Sequence, residues 1–161
     1  RNIYIHAKNA SLAAARLLFF RLRRLGFQAS LIPSGGSEVL EGIAHAGEGD
    51  LAILFSFSKV SEEGRMILDY AREAGCSTLA FTSRLYAPQE QRADVNLYVY
   101  RGEKEEFHTM SSAVAVIDAL VLALSDSMQP KAAEKLMRLQ KLKKKYGRRL
   151  YGKEDGKSGQ E

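Results

Sequence analysis

At 161 residues, with 45% apolar and 27% charged side chains, the chain has the size and balance of one globular domain able to bury a sizeable core. Its net charge of +5 is uneven: residues 131–161 hold eleven Lys/Arg against four Asp/Glu, a net of +7, which leaves residues 1–130 at −2. The basic excess therefore belongs to the tail and gives no argument for nucleic-acid binding by the body.

Ile3-Tyr4-Ile5-His6 is β-branched and aromatic, a first strand. From Ser11 to Gly26, Leu12, Ala15, Leu18, Phe19, Leu22 and Leu25 recur at helical spacing, with Arg16, Arg21, Arg23 and Arg24 largely opposite. Gly26 ends that helix and a second strand, residues 27–32, follows. Pro33-Ser34-Gly35-Gly36 is a turn, and Val39, Leu40, Ile43 and Ala44 predict a second helix. The unbroken apolar run Leu51-Ala52-Ile53-Leu54-Phe55 reads as a strand buried on both faces, the kind found in parallel sheets. A third helix carries Met66, Ile67, Tyr70 and Ala71 and stops at Gly75. Residues 78–81 form a fourth strand ending at Thr82-Ser83, a loop or short turn surrounds Pro88, and residues 95–99 form a fifth strand. Residues 110–125 predict a long helix with Val114, Ile117, Leu120, Val121 and Leu124 in one stripe, ended by Pro130. Residues 132–146 predict a further helix, and residues 147–161, with little apolar content, are expected to be disordered.

Strands alternating with helices through tight glycine links mean right-handed βαβ units. The expected fold is an α/β protein: a three-layer α/β/α sandwich around a five-stranded parallel sheet. Residues 1–128 form its ligand-binding domain, and residues 129–161 are a basic helix and tail. Lys141-Leu142-Lys143-Lys144-Lys145 reads as a solvated helix end favoured by the helix dipole, the alternative being a contact with nucleic acid or an acidic partner. No apolar run approaches the length of a membrane span, no leader pattern opens the chain, and the expected compartment is the cytoplasm. Cys76 excludes an internal disulfide, and with three scattered histidines it gives no metal-ligand spacing, so we expect no metal and no cofactor. The chain starts at Arg1 and enters a strand within two residues, which leads us to expect a piece of a longer polypeptide.

In open parallel sheets, ligands bind outside the carboxyl ends of the strands. Three strands here end in polar or basic residues: Lys8-Asn9-Ala10-Ser11, Ser56 to Ser61, and Thr82-Ser83. After residues 51–55, three serines lead into a helix start, where free backbone N–H groups and the helix dipole favour an anion. Ser58 or Ser61 acting only as a helix cap is the plainer alternative. Glu63, Glu106, His6 and His108 are the groups that could move a proton, but no pair has a spacing that demands catalysis. We expect no catalytic residue.

The order of these segments resembles a known family. The small-residue turn with Ser11, Leu25-Gly26, Gly49-Asp50 and Ser56-x-Ser58-x-x-Ser61-x-Glu63 look like a sugar isomerase (SIS) domain, a flavodoxin-like fold. Ala80-Phe81-Thr82, Ala87-Pro88, Ala93-Asp94 and Ile117-Asp118-Ala119-Leu120 are similar to the version in RpiR/MurR-type transcriptional regulators, over residues 3 to about 125. The resemblance implies a phosphosugar-sensing domain that forms a homodimer or a dimer of dimers and reaches DNA only through a helix-turn-helix domain absent from this chain. It maps the phosphate cradle to Ser56, Ser58 and Ser61, with Ser11 from the first turn and Thr82 and Ser83 at the rim. The alternatives are a phosphosugar isomerase or a dimerisation module without ligand. Departures bear on that choice: Ala7 and Asn9 stand where the family turn carries glycines, and Lys59 where it has a glycine after the second serine. Lys59 and Lys8 could neutralise a phosphate, or Lys59 could fill the pocket.

Overall fold

A computed structural model describes residues 1–103 and 105–151. Five strands, β1 (Asn2–Ala7), β2 (Gln28–Leu31), β3 (Leu51–Phe55), β4 (Ser77–Thr82) and β5 (Val95–Tyr98), pair in parallel in the order β2-β1-β3-β4-β5. This is the expected doubly wound sheet, and its order reverses between β1 and β3. The helices are α1 (Ser11–Arg24), α2 (Glu38–Ile43), α3 (Glu62–Glu73), α4 (Ser111–Ser127) and α5 (Lys131–Tyr151), with a single 3₁₀ turn at Gln89–Gln91.

Side chains alternate across the strands, so each face of the sheet has its own core. Ile3, Ile5, Ile53, Phe55 and Phe81 face Leu18, Leu22 and Ile117 of α1 and α4. Ala52, Leu54 and Ala80 pack with Val39, Ile43, Ile67 and Leu68 of α2 and α3. Covering on both sides is why residues 51–55 are apolar without a break. Phe55 and Phe81 stack at 4.4 Å between centroids and only 5° apart, pinning β3 to β4 on one face.

α1 and α3 terminate by the same device. Gly26 (φ 83°) and Gly75 (φ 70°) take the left-handed conformation one residue past the helix caps Leu25 and Ala74. The amide two residues past the helix cap then reaches back five residues: Phe27 N–H donates to Leu22 O and Cys76 N–H to Ala71 O. This Schellman closure satisfies the last carbonyls and turns the chain straight into the next strand.

Two expectations need correction. On α4, Ile117 is fully buried and Leu120, Val121 and Leu124 pack on the core as expected, but Val114 is 37% exposed and Ala113 is buried in its place. α4 packs on α1 and α5, and the side turned to them takes in Ala113 rather than Val114. The last helix runs to Tyr151, beyond the expected residue 146, and the remainder of the segment expected to be disordered, residues 152–161, lies outside the described residues.

The unequal burial of Ile117 and Val114 sets an expectation for chemical denaturation. Ile117→Ala should cost about 2–5 kcal/mol, the range for emptying a core isoleucine site. Val114→Ala should cost less than about 1 kcal/mol; the reverse order would put Val114 in the core after all.

Candidate functional site

The carboxyl ends of β1 and β3 part at the point where strand order reverses, and a cavity of about 450 Å³ opens there. Its walls come from the turn after β1, the loop from β3 into α3, and the segment between β5 and α4.

The β1 turn supplies Lys8, Asn9, Ala10 and Ser11. Asn9 takes φ 53°, the one non-glycine in the left-handed region among the described residues. Ala7 stays in the extended strand, fully buried. The two departures from glycine are thus unequal: the tight bend falls on the residue type that tolerates it. Lys8 Nζ lies 2.7 Å from Glu63 Oε1, so its charge is already engaged. That bond is the main reason the Glu63 carboxyl falls to about 2, helped by its own backbone amide and by Ser61.

The β3–α3 loop supplies Ser56, Ser58, Lys59 and Ser61. Ser56 is buried at the floor, and Ser58 and Lys59 stand exposed at the mouth. Ser61 is the N-cap of α3: its Oγ accepts the Gly64 N–H at 3.2 Å. A hydroxyl that accepts one bond still has its own proton to donate, so capping and ligand contact are compatible at this residue. The cavity remains open beside Lys59.

Two residues outside the expected phosphate cradle also line the cavity. Arg101, just past β5, lays its guanidinium 4.6 Å from the Phe57 ring centroid and donates from Nε to Thr109 O at 3.1 Å. It has no carboxylate within ion-pair distance among the described residues, and burial pulls its pKa down. A half-buried cation held by a ring and a carbonyl is a site that gains from an anion. His108, in the same segment, is exposed at the rim. The signal for Arg101 was its place at the end of a fifth parallel strand, where it must emerge on the same edge as the serines.

The remaining candidates lie elsewhere. Thr82 lines a neighbouring recess, where its Oγ1 accepts the Arg84 N–H. Ser83 turns its hydroxyl to Phe57 O, whose carbonyl also accepts the Ser83 amide at 2.8 Å, so it anchors the loop. Glu106 is absent from the cavity lining and accepts the Glu103 amide. No group of three His, Cys, Asp or Glu among the described residues could hold a metal.

His6, the last polar residue of β1, also borders the cavity. It is only 3% exposed, and neither ring nitrogen has a hydrogen-bond partner among the described residues. Burial lowers its pKa most, and the Lys8 charge adds to this; Glu63 and the nearby Pro33 carbonyl, which lacks good hydrogen-bond geometry, pull the other way. The unfolded chain therefore takes up the proton first as pH falls below about 6.5. Stability should be full above that pH and decline from 6.5 towards 5. Glu63 acts in a separate window, below about 4.5. Melting curves of His6→Leu should lose the decline between pH 6.5 and 5, with no loss of stability at pH 7.5, because two unsatisfied buried atoms are removed. A wild-type curve flat over that range would refute this assignment.

Comparison with known proteins bears on the same region. The SIS domain family matches residues 1–123. No curated protein sequence matched. Among solved structures, the sugar isomerase domain of an RpiR transcription factor from Sphaerobacter thermophilus is similar at 22% identity and a TM-score of 0.77, over 87% of this chain and 78% of that one. The Vibrio vulnificus NanR protein complexed with ManNAc-6P is similar at 19% identity and a TM-score of 0.76, over 94% of this chain and 57% of that one. A hypothetical protein from Methanococcus jannaschii, whose structure infers a 3-hexulose-6-phosphate isomerase function, has 21% identity and a TM-score of 0.55, over 86% and 71%. At these identities the structures establish a shared fold; the family match, spanning three quarters of the sequence, establishes that the chain belongs to the SIS domain family.

Proposed function

We propose that this SIS domain is the phosphosugar-sensing, dimerising effector domain of an RpiR-type transcriptional regulator. The observation that carries the reading is the charge of the cavity. Lys59 and Arg101 line it without a carboxylate partner among the described residues, and Glu63, beside it, is already held by Lys8. Serine hydroxyls from two loops supply neutral donors around those cations. The site residues we assign are Ser11, Ser56, Ser58, Ser61, Lys59, Lys8 and Arg101, with Thr82 and Ser83 shaping the adjoining wall. The likeness to the RpiR and NanR structures supports a regulator. In this reading DNA is contacted by a separate helix-turn-helix domain of the full protein, in the cytoplasm. No single described helix is long and apolar enough to cross a membrane.

Exposed Phe20, Leu122, Met137 and Leu142 lie on α1, α4 and α5, which pack on one another. Apolar surface of that kind supports pairing with a second copy. A sugar phosphate would then act by its different affinity for two arrangements of the pair.

The second reading is a phosphosugar isomerase, favoured by the Methanococcus jannaschii relative and by His108 at the cavity rim. Against it, a carboxyl at about 2 is a poor general base near neutrality, and Glu63 is the carboxylate closest to hand. Turnover of an aldose or ketose phosphate that disappears in Glu63→Gln would decide for the enzyme.

A thermal-shift series tests the sensor directly. Phosphorylated sugars should raise the melting temperature and their unphosphorylated forms should not; at a hundredfold over Kd the gain is about 2.7 kcal/mol. Arg101→Ala should weaken binding about tenfold or more, as expected for losing a charged hydrogen bond, with the unliganded melting temperature little changed. Equal shifts with and without the phosphoryl group would sink the proposal.

A further inference from the structure

A second recess, of about 340 Å³, lies beyond the ends of β3 and β4 and shares the buried Ser56 with the first cavity. Its polar lining includes Thr82, Arg84, Gln91, Arg92 and Asn96, and no Asp or Glu contributes to it. Neither arginine has an ion-pair partner among the described residues. Arg92 is positioned: its Nε donates to Ala87 O at 2.7 Å, and its own carbonyl accepts from Arg72 at 3.1 Å. Other arginines do find carboxylates, as Arg21 does with Asp118 and Arg72 with Asp69.

The loop from β3 into α3 therefore borders two basic recesses that meet at Ser56, one with Lys59 and Arg101 and the other with Arg84 and Arg92. The hydroxyl and main chain of Ser83 tie that loop to the end of β4. Both arginines are exposed, and Arg92 is held by its backbone contacts, so the pair offers accessible guanidinium donors that a sugar with one phosphoryl group in the first cavity would not use. We infer that the recess of Arg84 and Arg92 is a second anion subsite, and that the ligand is a phosphosugar carrying another anionic group, a second phosphate or a carboxylate, at its far end. This rests on the phosphosugar reading of the first cavity and narrows it. Bidentate guanidinium contacts suit either group.

Titration calorimetry separates the possibilities. The probes are glucose 6-phosphate, 6-phosphogluconate and glucose 1,6-bisphosphate, with fructose 6-phosphate and fructose 1,6-bisphosphate as the ketose pair. At least one doubly anionic probe should bind about tenfold or more tightly than its monophosphate, at one equivalent per chain. A gain for the bisphosphates assigns a second phosphate, and a gain for phosphogluconate assigns a carboxylate. Arg84→Gln and Arg92→Gln should each remove most of the gain while leaving monophosphate affinity within about twofold, which also shows that the variants are folded. Three results overturn the inference while leaving the first cavity intact: equal affinity for single and double anions, a gain unaffected by both variants, or two equivalents of a monophosphate bound independently. Failure of every probe to bind at millimolar concentration overturns the phosphosugar reading as well.

Discussion

Parallel pairing of every strand is the constraint on which the rest of this structure depends. In a parallel sheet all carboxyl ends emerge on one edge, so polar residues far apart in sequence are delivered to the same place. Lys8 and Glu63 are 55 positions apart and meet because β1 and β3 run side by side. The reversal of strand order between those two strands separates the loops on either side and leaves room for a ligand. Helices on both faces then bury the strands, and the apolar demand this makes is met by Leu51 to Phe55 and by Phe81.

What was legible in the sequence is what local chemistry decides. The double-sided burial of β3, the glycine closures after α1 and α3, and the cap at Ser61 each depend on a few neighbouring residues. The strand count, the parallel arrangement and the place of the cavity follow from them. Side-chain partners were not legible, because tertiary contacts choose them. Lys8 reads as a free cation and is bound to Glu63; Arg101 passes unremarked and sits on Phe57. Ser83 reads as a rim hydroxyl and is used on the Phe57 carbonyl. On α4 only Val114 falls outside the expected stripe, since the pattern of one helix cannot reveal which neighbours flank its first turn.

Asn9 and Ala7 show how a family turn survives the loss of its glycines. Of two replaced positions only one needs the left-handed conformation, and it holds asparagine. The other lies inside a strand, where a methyl group is accommodated in the core. Lys59, the third departure, stands at the mouth and not in the floor, so it adds charge without closing the space. All three changes are compatible with an open, cation-rich cavity. That His6 remains unsatisfied beside it is a local cost that an all-apolar strand would avoid.

The α5 helix carries a consequence of another kind. Its distal part exposes Lys141, Lys143, Lys144 and Lys145 on a chain whose first 130 residues sum to −2. Charge so segregated makes the molecule an electric dipole with its positive end on the distal part of α5. Because that field fades over about 10 Å at 0.1 M ionic strength, salt sets how far from the helix end it extends.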